Sequence, residues 1–246
     1  MATNTSIPAD DSAAWQAEPT YTTACELAYK ALLEHVPNFQ HGAKKPDVLE
    51  VGCGSGVLAS MLAPHTHTLV GLDTSASAVA AFNAKVQQQG AQHMEAVAFD
   101  WENPNFEAAP QTQVKLMERV DGTVREGPVR SDVILRNPLT SRWPNLLEWF
   151  QISYFGLNPG GRVAAVCLEH QGPETALFYP PSQRKGNLMC GYKADEVSTT
   201  LRDAGFADVS VRRAFSVTKT VDAAEAGGRT SLEFSFALVQ GSKPPR

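Results

Sequence analysis

The sequence has few of the features that mark an exported or membrane-embedded protein. Its 246 residues include only four cysteines, and no two of them have the short spacing of a metal-binding pair. The longest uninterrupted apolar run, residues 163–168, is too short to cross a bilayer. The first residues also lack the apolar stretch of a secretory signal. We therefore expect a cytoplasmic protein with no metal site and no membrane partner.

Positive charge is also scarce. The chain has 21 Lys and Arg residues against 26 Asp and Glu residues, so its formal net charge is −5. The richest basic cluster, residues 125–136, is interrupted by Glu126 and Asp132. Binding of nucleic acid through its phosphates needs a basic surface, so we do not expect nucleic acid as a partner. Apolar residues, in contrast, make up 43% of the chain, which is enough for the core of one domain.

Short apolar runs alternate with helical patterns along most of the chain. This alternation is typical of an α/β fold with a parallel sheet covered on both faces. The predicted strands are residues 47–51, 68–73, 93–100, 131–135, 162–169, 208–214 and 231–239. The predicted helices are residues 13–36, 57–63, 75–89, 143–155 and 195–204, with a turn at residues 158–161. The last two strands have no helix between them, so we expect them to pair antiparallel.

Two segments interrupt the alternation. Residues 101–130 and 170–194 are rich in Pro, Gly and polar residues, and each follows a predicted strand. Loops at the carboxyl ends of strands build the ligand crevice of an open α/β sheet. We predict that both segments are lids over a ligand, and the alternative is that they are surface excursions without a role. Residues 1–12 are small and polar and are predicted to be a disordered tail, which leaves residues 13–246 as one domain.

The clearest motif, EVGCGSG at residues 50–56, lies where the first strand meets the first helix. Its three alternate glycines let the backbone approach a ligand closely and adopt conformations that other residues avoid. A dinucleotide-binding loop has its third glycine one position later, where this chain has Val57. The spacing therefore favours a ligand without pyrophosphate, and a nicotinamide-dependent oxidoreductase is the disfavoured alternative.

Acidic residues end the second and third predicted strands at the same edge of the sheet as the glycines. Asp73 lies about twenty residues beyond the first glycine, where a carboxylate can accept hydrogen bonds from ribose hydroxyls. Asp100 could accept one from an adenine amino group, and Trp101 beside it offers a surface for stacking. The strand, the glycines and the two acids occur in order and in register, and together they predict a site for a ligand with a ribose and an adenine.

With these motifs the chain resembles the class I S-adenosylmethionine-dependent methyltransferases, over roughly residues 13–240. Residues 47–56 resemble the first motif of that family, residues 72–75 its second motif, and residues 157–161 the L-x-P-G-G turn before its fifth strand. The resemblance implies a Rossmann-like doubly wound sheet of seven strands in the order 3-2-1-4-5-7-6. It also implies that the last strand is antiparallel and that an N-terminal helical cover and lid insertions surround the site.

The start of the chain carries the resemblance further. Ala13, Ala14 and Trp15, followed by Glu18 and Pro19, are similar to the entry helix of small microbial and fungal members of the methyltransferase type 11/12 group, which are related to ubiquinone-biosynthesis enzymes. The resemblance implies S-adenosylmethionine as the cofactor and a small organic molecule as the methyl acceptor. The cofactor-binding residues that it implies are Trp15, Tyr21, Glu50, Gly52, Cys53, Gly54, Gly56, Asp73, Thr74, Asp100, Trp101 and Arg136.

Each part of the cofactor is matched to residues by the same resemblance. Glu50 and the three glycines would hold the methionyl part, and Asp73 would hold the ribose. Asp100 and Trp101 would hold the adenine. The carbonyl of Arg136 would accept from the cofactor's amino group. Trp15 and Tyr21 would cover the cofactor from the entry helix.

The acceptor side departs from these relatives, which often carry paired histidines after the fourth strand. Methyl transfer depends mainly on holding the acceptor against the methyl group, and a base helps when the acceptor is a weak acid. His170 and Glu169 are candidate catalytic residues because they lie at the carboxyl end of the predicted fifth strand, and Tyr179 in the segment after it is the next candidate. The departure leaves an alternative open, in which the chain binds S-adenosylmethionine without methyl transfer, as a regulatory partner or a cyclase.

Overall fold

The computed structural model describes residues 15–99, 130–137, 145–184 and 191–245. Strands β1 to β7 are Asp47–Val51, Thr68–Asp73, Met94–Ala98, Ser131–Arg136, Leu157–Leu168, Ala207–Thr220 and Ser231–Ser242. Helices α1 to α5 are Pro19–His35, Val57–Leu62, Ala76–Gln89, Leu146–Gly156 and Ala194–Asp203. Short 3₁₀ helices are formed by Pro37–Phe39, Ala63–His65, Pro173–Phe178 and Pro181–Arg184.

The described strands form one sheet of seven in the order β3-β2-β1-β4-β5-β7-β6, as predicted. The strands from β3 through β5 pair in parallel. Strand β7 is antiparallel to both of its neighbours, β5 and β6, which confirms that the last strand is antiparallel. All the parallel strands therefore end at one edge, where the predicted glycine motif and Asp73 also lie.

The central strands are buried on both faces and supply two separate cores. Alternate residues such as Val48 and Leu135 pack under α1, α2 and α3. Their neighbours Leu49 and Ile134 pack under α4 and α5 on the other face. This arrangement is typical of a parallel sheet covered by helices on both sides. None of the helices in the described part of the chain is long and apolar enough to span a membrane.

Helix α3 is capped at both ends. The Ser75 hydroxyl accepts a hydrogen bond from the Ala78 N–H at the start of the helix, and Gly90 ends the helix in a left-handed conformation. For α4 the predicted start at residue 143 is wrong, because the helix begins at Leu146. Asn145 is its N-cap and accepts from the Glu148 N–H at 3.1 Å. The helix therefore starts where a side chain is available to satisfy its first donors.

The predicted N-terminal helix over residues 13–36 is interrupted. Trp15 and Gln16 are helical, but α1 begins only at Pro19. A residue before proline is excluded from the helical region, and Glu18 is accordingly extended, with φ −66° and ψ 136°. Trp15 and Gln16 are therefore not part of α1.

The predicted turn at residues 158–161 lies within the bounds of β5. Leu157 pairs with Ser131 and Arg162 with Val133, so the four residues between them have no partner in β4, and Gly160 is left-handed with φ +78°. The end of the chain holds this turn in place: the Gly160 N–H donates to the Lys243 carbonyl at 2.9 Å, and the Lys243 N–H donates to the Gly161 carbonyl at 2.8 Å. The Lys243 ammonium donates to the carbonyls of Tyr154 and Leu157, at the end of α4.

The closing strands are longer than predicted. Strand β6 ends at Thr220 and not at residue 214, and β7 extends from 239 to Ser242. Leu168 at the end of β5 is paired with Phe236, so the β6–β7 hairpin continues beyond the carboxyl end of β5. Strand β6 was predicted too short because it is an edge strand without regular alternation of buried and exposed residues. Strand β3 is shorter than predicted and ends at Ala98.

Candidate cofactor and acceptor site

The glycine loop, residues 52–56, joins β1 to α2 at the carboxyl edge of the sheet. A Cβ atom on Gly56 (φ +77°) would lie 2.5 Å from the ring of Phe82 on α3. A Cβ atom on Gly54 (φ +54°) would lie 2.7 Å from the Gln16 amide nitrogen and 3.3 Å from the Tyr21 hydroxyl. Both the left-handed backbone and these close neighbours require glycine. The loop is therefore held between α3 below and the entry residues above.

Asp73 ties the end of β2 to this loop. One carboxylate oxygen accepts from the Gly54 N–H at 2.8 Å, and the other accepts from the Ser75 N–H at 2.9 Å. Each carboxylate oxygen has two acceptor positions, so a partly exposed Asp73 can still accept hydrogen bonds from a ligand. Thr74, between these two contacts, is exposed. The geometry is compatible with the ribose role that was predicted for Asp73.

Glu50 is the most deeply buried charged residue of the site, with none of its surface exposed. Asn137 donates from its side-chain amide to Glu50 Oε1 at 3.0 Å, whereas Glu50 Oε2 is buried and has no hydrogen-bond partner among the described residues. Burial raises the pKa of Glu50 to about 8, the charge of Asp73 adds to this effect, and the Asn137 hydrogen bond opposes it. An unsatisfied buried carboxyl oxygen is costly, and it is the kind of group that a bound ligand can satisfy.

The entry residues lie directly over the glycine loop. Gln16 Oε1 accepts from the Ser55 N–H at 3.0 Å, and the Trp15 ring meets Tyr21 edge-on with centroids 5.7 Å apart. Burial raises the pKa of the Tyr21 hydroxyl, and the nearby acidic groups of Cys25 and Glu50 raise it further. Tyr21 is therefore a neutral donor beside the loop at physiological pH.

Trp15 also connects this loop to the residues after β5. Its ring lies 5.4 Å from that of Phe178 and 6.3 Å from that of Tyr179. The Lys219 ammonium is 4.6 Å from the Trp15 ring centroid, donates to the Phe178 carbonyl at 2.7 Å and lies 3.4 Å from the Glu18 carboxylate. We call Trp15, Phe178 and Tyr179 the aromatic cluster; the predicted candidate Tyr179 is buried within it.

The other two candidate catalytic residues lie at a short bridge beside β5. Glu169 forms an isolated bridge with Tyr192, and the His170 N–H donates to the Tyr192 carbonyl at 3.0 Å. A Cβ atom on Gly191 (φ +83°) would come within 2.8 Å of the His170 backbone. His170 is exposed and Glu169 is partly buried. The backbone of this bridge is thus fixed by close packing, and the His170 side chain faces solvent.

The remaining predicted residues are divided between the two faces of the sheet. Arg136 ends β4, and its guanidinium lies 5.4 Å from the Trp149 ring centroid on the face of α4 and α5. Cys53, implied as a cofactor-binding residue, is buried, and its sulfur occupies the space next to Gly71. Cys167 and Trp149 are also buried. Asp100, Trp101 and most of residues 101–130 lie outside the described residues, as do residues 185–190 of the second predicted lid.

Three residues of the site were missed by the sequence analysis, namely Gln16, Asn137 and Lys219. Asn137 could have been found, because it follows β4 directly at the edge where Glu50 and the glycines lie. Gln16 and Lys219 carry no such signal. The position of Gln16 depends on the break before Pro19, and the position of Lys219 depends on the extension of β6. Both features are set by contacts between distant parts of the chain.

Comparisons with known proteins agree with this geometry. Residues 25–211 match the family model of a methyltransferase domain. The fold is similar to that of a candidate methyltransferase from Bacillus halodurans, with a TM-score of 0.64 at 18% identity, covering 89% of this chain and 99% of the other. Among curated proteins, none matches the chain significantly by sequence.

Two further structures of similar fold were solved with ligands. One is the Burkholderia thailandensis 1,6-didemethyltoxoflavin N1-methyltransferase with its substrate and S-adenosylhomocysteine, with a TM-score of 0.58 at 19% identity, covering 96% of this chain and 83% of the other. The other is phosphoethanolamine N-methyltransferase 2 from Haemonchus contortus with S-adenosylmethionine, with a TM-score of 0.58 at 14% identity, covering 97% of this chain and 60% of the other. At these identities, the likeness shows a common fold.

The residues at the carboxyl edge fit the cofactor of such a fold. The left-handed glycine loop offers close backbone approach, Asp73 offers carboxylate oxygens for hydroxyl groups, and Glu50 offers a buried oxygen without a partner among the described residues. Since the family model covers most of the chain, from residue 25 to residue 211, the protein belongs to the methyltransferase domain family and is a class I S-adenosylmethionine-dependent methyltransferase.

Proposed function

We propose that this enzyme methylates a small organic molecule in the cytoplasm, and that the acceptor is held beneath the aromatic cluster. One observation carries the proposal. Trp15 contacts both Tyr21, which lies beside the glycine loop, and Phe178 and Tyr179, which follow β5. The cover over the cofactor loop is thus continuous with an apolar, aromatic surface, which is typical of small-molecule sites. The predicted lid at residues 101–130 would complete the enclosure and lies outside the described residues.

The charge of the chain supports a small acceptor over a nucleic acid. The net charge is −5, and three described cations around the aromatic cluster and the β6–β7 hairpin are engaged by acids. Lys219 faces Glu18, Arg184 pairs with Glu225, and Arg229 pairs with Glu174. A polyanionic acceptor would have to displace these pairs, whereas a neutral or weakly acidic molecule would not.

The two ligand-bound structures of similar fold support the same class of acceptor. One is named for the N1-methylation of 1,6-didemethyltoxoflavin and the other for the N-methylation of phosphoethanolamine. Both names describe small molecules. We extend this class to the present chain as a proposal, with the acceptor atom, oxygen, nitrogen or carbon, left open.

In this proposal the cofactor lies over the glycine loop. Glu50, Gly52, Gly54 and Gly56 would hold its methionyl part, Asp73 its ribose, and Trp15 and Tyr21 would cover it. The bound cofactor supplies a methyl group on a positively charged sulfur. The residues of the chain contribute position, because holding the acceptor in line is worth up to ~10 kcal/mol of the barrier. They also exclude water through the buried rings of the aromatic cluster.

An acceptor with a weakly acidic hydroxyl also needs a group to take its proton. Tyr179, Glu169 and His170 are the candidates that the sequence provides. Tyr179 lies in the aromatic cluster, and we propose it as the residue that hydrogen-bonds the acceptor. Glu169 and His170, at the bridge with Tyr192, are proposed as the groups that pass the proton to solvent, because His170 is exposed.

The test is turnover of S-adenosylmethionine to S-adenosylhomocysteine by the pure protein, with panels of small phenols, amines and carboxylic acids. Matched reactions contain duplex DNA, transfer RNA or peptides in place of the small molecules. We expect turnover with at least one small-molecule panel and none with the polymers. Turnover with a polymer alone would contradict the proposal. Tight cofactor binding with no turnover in any panel would favour the alternative of a binding protein without methyl transfer.

A further inference from the structure

Glu50 occupies a position that favours the neutral form of a carboxyl group. It lies on the face of β1 that is covered by α1, because side chains alternate along a strand and its neighbour Val51 packs on the other face. None of its surface is exposed. Burial in a low-dielectric interior disfavours a charge, and it raises the pKa of this carboxyl to about 8. The interior position of Glu50 therefore favours its neutral form while the site is empty.

Asn137 fixes the orientation of this carboxyl. Its backbone N–H donates to the Val51 carbonyl at 3.1 Å, which places Asn137 directly beside the end of β1. From there its side-chain amide donates to Glu50 Oε1 at 3.0 Å. The bond leaves Oε2 as the oxygen that has no partner among the described residues. Because an amide donor favours the ionised form, the same bond keeps the pKa of Glu50 from rising further.

Most of the ionisable groups around Glu50 are acids. Asp73 lies at the end of β2, Tyr21 and Cys25 on α1, and Cys53 in the glycine loop; burial raises the pKa of each of these last three groups, and negative charge at Glu50 raises it further. Of the described basic residues, Lys85 on α3 reaches the glycine loop, where its ammonium donates to the Ser55 carbonyl at 2.9 Å, and Arg136 lies against Trp149 on the opposite face of the sheet. An incoming cation would thus meet a carboxyl group whose ionised form has no positive partner in this part of the chain.

We propose that Asn137 is a positioning residue that presents Glu50 as a neutral acid in the cofactor-free enzyme, and that binding of the cofactor's ammonium end expels the Glu50 proton. The O–H bond of the carboxyl breaks, the proton passes to solvent water, and the resulting carboxylate faces the ammonium group. Binding then replaces a buried neutral acid with a buried ion pair, which avoids an unpaired charge in the empty site. This inference rests on the proposed placement of the cofactor over the glycine loop.

The first test is calorimetry of cofactor binding in two buffers with different ionisation enthalpies. At about pH 6.5 an α-amino group is already protonated, so a released proton comes from the protein. We expect release of about one proton per cofactor by the wild-type enzyme, because a group with a pKa of about 8 is almost fully protonated there. The matched control is Glu50→Gln, which has the same shape and no proton to lose. It should bind more weakly and release close to none.

The second test is the pH profile of affinity. Release of one proton makes the dissociation constant fall about tenfold for each unit between about pH 5.5 and 7. The same series with Glu50→Gln measures the contribution of all other groups, and its dissociation constant should not change with pH in this range. A slope that is equal in the two proteins would overturn the proposal.

The positioning role of Asn137 is tested on the free enzyme by infrared titration of the protonated-carboxyl band that Glu50→Gln lacks. We expect Asn137→Ala to move the midpoint of that titration to higher pH, because the donor that favours the carboxylate is lost. Asn137→Gln, which keeps an amide donor, should move it less. A midpoint unchanged in Asn137→Ala would show that Asn137 only fills space.

If the Asn137 variants do not fold, the wild-type enzyme still decides the main point. Addition of cofactor should give a negative protonated-carboxyl band in the bound-minus-free infrared difference spectrum of the wild type, and its absence would overturn the proposal. Failure of the cofactor placement has a different signature: Asp73→Ala and Glu50→Gln would both bind the cofactor as tightly as the wild type. A weakened Glu50→Gln variant with no proton release by the wild type would reject this inference alone.

Discussion

Different kinds of contact hold together two regions of the molecule. We call the region of the glycine loop and Asp73 the cofactor half, and the region of the aromatic cluster the acceptor half, after their proposed roles. In the cofactor half, main-chain groups make the key contacts: Asp73 accepts from two backbone N–H groups, and Gly56 leaves room for Phe82. In the acceptor half, side chains pack on side chains, with Phe178 at the centre of four ring contacts. Main-chain geometry restricts residue types at fixed positions, whereas packing accepts many combinations of similar volume. Residue types should therefore be more restricted at the glycine loop and Asp73 than in the aromatic cluster.

The largest expected effect is in the packed acceptor half. Phe178 is fully buried, so Phe178→Ala should lower the free energy of unfolding by about 3–5 kcal/mol, through lost burial and the cavity that remains. Phe155→Ala is the control, because Phe155 is 75% exposed and its removal should change stability little. Both are measured by urea denaturation. A cost below about 1 kcal/mol for Phe178→Ala would mean that packing is not what holds the acceptor half.

The next effect tests the main-chain rule in the cofactor half. Gly56→Ala combines a left-handed backbone with a Cβ atom that would lie 2.5 Å from Phe82, and it should cost about 2–5 kcal/mol of stability. Gly90→Ala is matched to it, since Gly90 has φ +65° with nothing within 4 Å of the added atom. Gly90→Ala should therefore cost only the backbone strain, about 1–2 kcal/mol. Equal costs in thermal denaturation would show that the contact with Phe82 does not matter.

Asp73→Ala should affect binding more than stability. It removes the acceptor for the Gly54 N–H and the proposed acceptor for the ribose, so cofactor affinity should fall by about 1–3 kcal/mol. Asp132→Ala is a control at the opposite edge of the sheet, where that carboxylate accepts from the Asp47 N–H and from Asn158. Calorimetry should show nearly normal cofactor affinity for Asp132→Ala. A weakening that is as large in the control as in Asp73→Ala would indicate a general loss of structure.

The smallest effect is expected from the exposed ion pair of the acceptor half. Arg229 and Glu174 connect the tip of the β6–β7 hairpin to the 3₁₀ helix that begins at Pro173, and their side chains are 53% and 46% exposed. Exposed pairs contribute about 0–1 kcal/mol, so Arg229→Ala should shift stability by less than that. The shift should shrink further as salt is added. A loss above about 2 kcal/mol at low salt that disappears at high salt would show that charge, and not packing, fixes this segment.

The sequence predicted those parts of the fold that depend on local signals. The order of the strands agrees with the structure, although the family resemblance implied it and not a local signal. The bounds of β1 and β2 agree because short apolar runs mark them, and β6 and β7 pair antiparallel, as expected from the lack of a helical pattern between them. The glycine loop and Asp73 could also be placed from local signals.

The parts that could not be predicted depend on distant contacts. Strand β6 continues to Thr220 because β7 pairs with it along its full length. Gln16 reaches Ser55 only because the helix is broken before Pro19. Nothing within a short window of sequence encodes such partners. The aromatic cluster and Lys219 belong to this class, which is why the acceptor side was the less complete prediction.

A crystal structure with S-adenosylhomocysteine tests the central claim, that the cofactor lies over the glycine loop, most directly. The account predicts that the ribose hydroxyls lie within hydrogen-bond distance of the Asp73 carboxylate. It also predicts that the amino group of the ligand lies beside Glu50 and the Arg136 carbonyl, under Trp15 and Tyr21. Ligand density at another edge of the sheet, or density over the loop with Asp73 bonded only to Gly54 and Ser75, would contradict it.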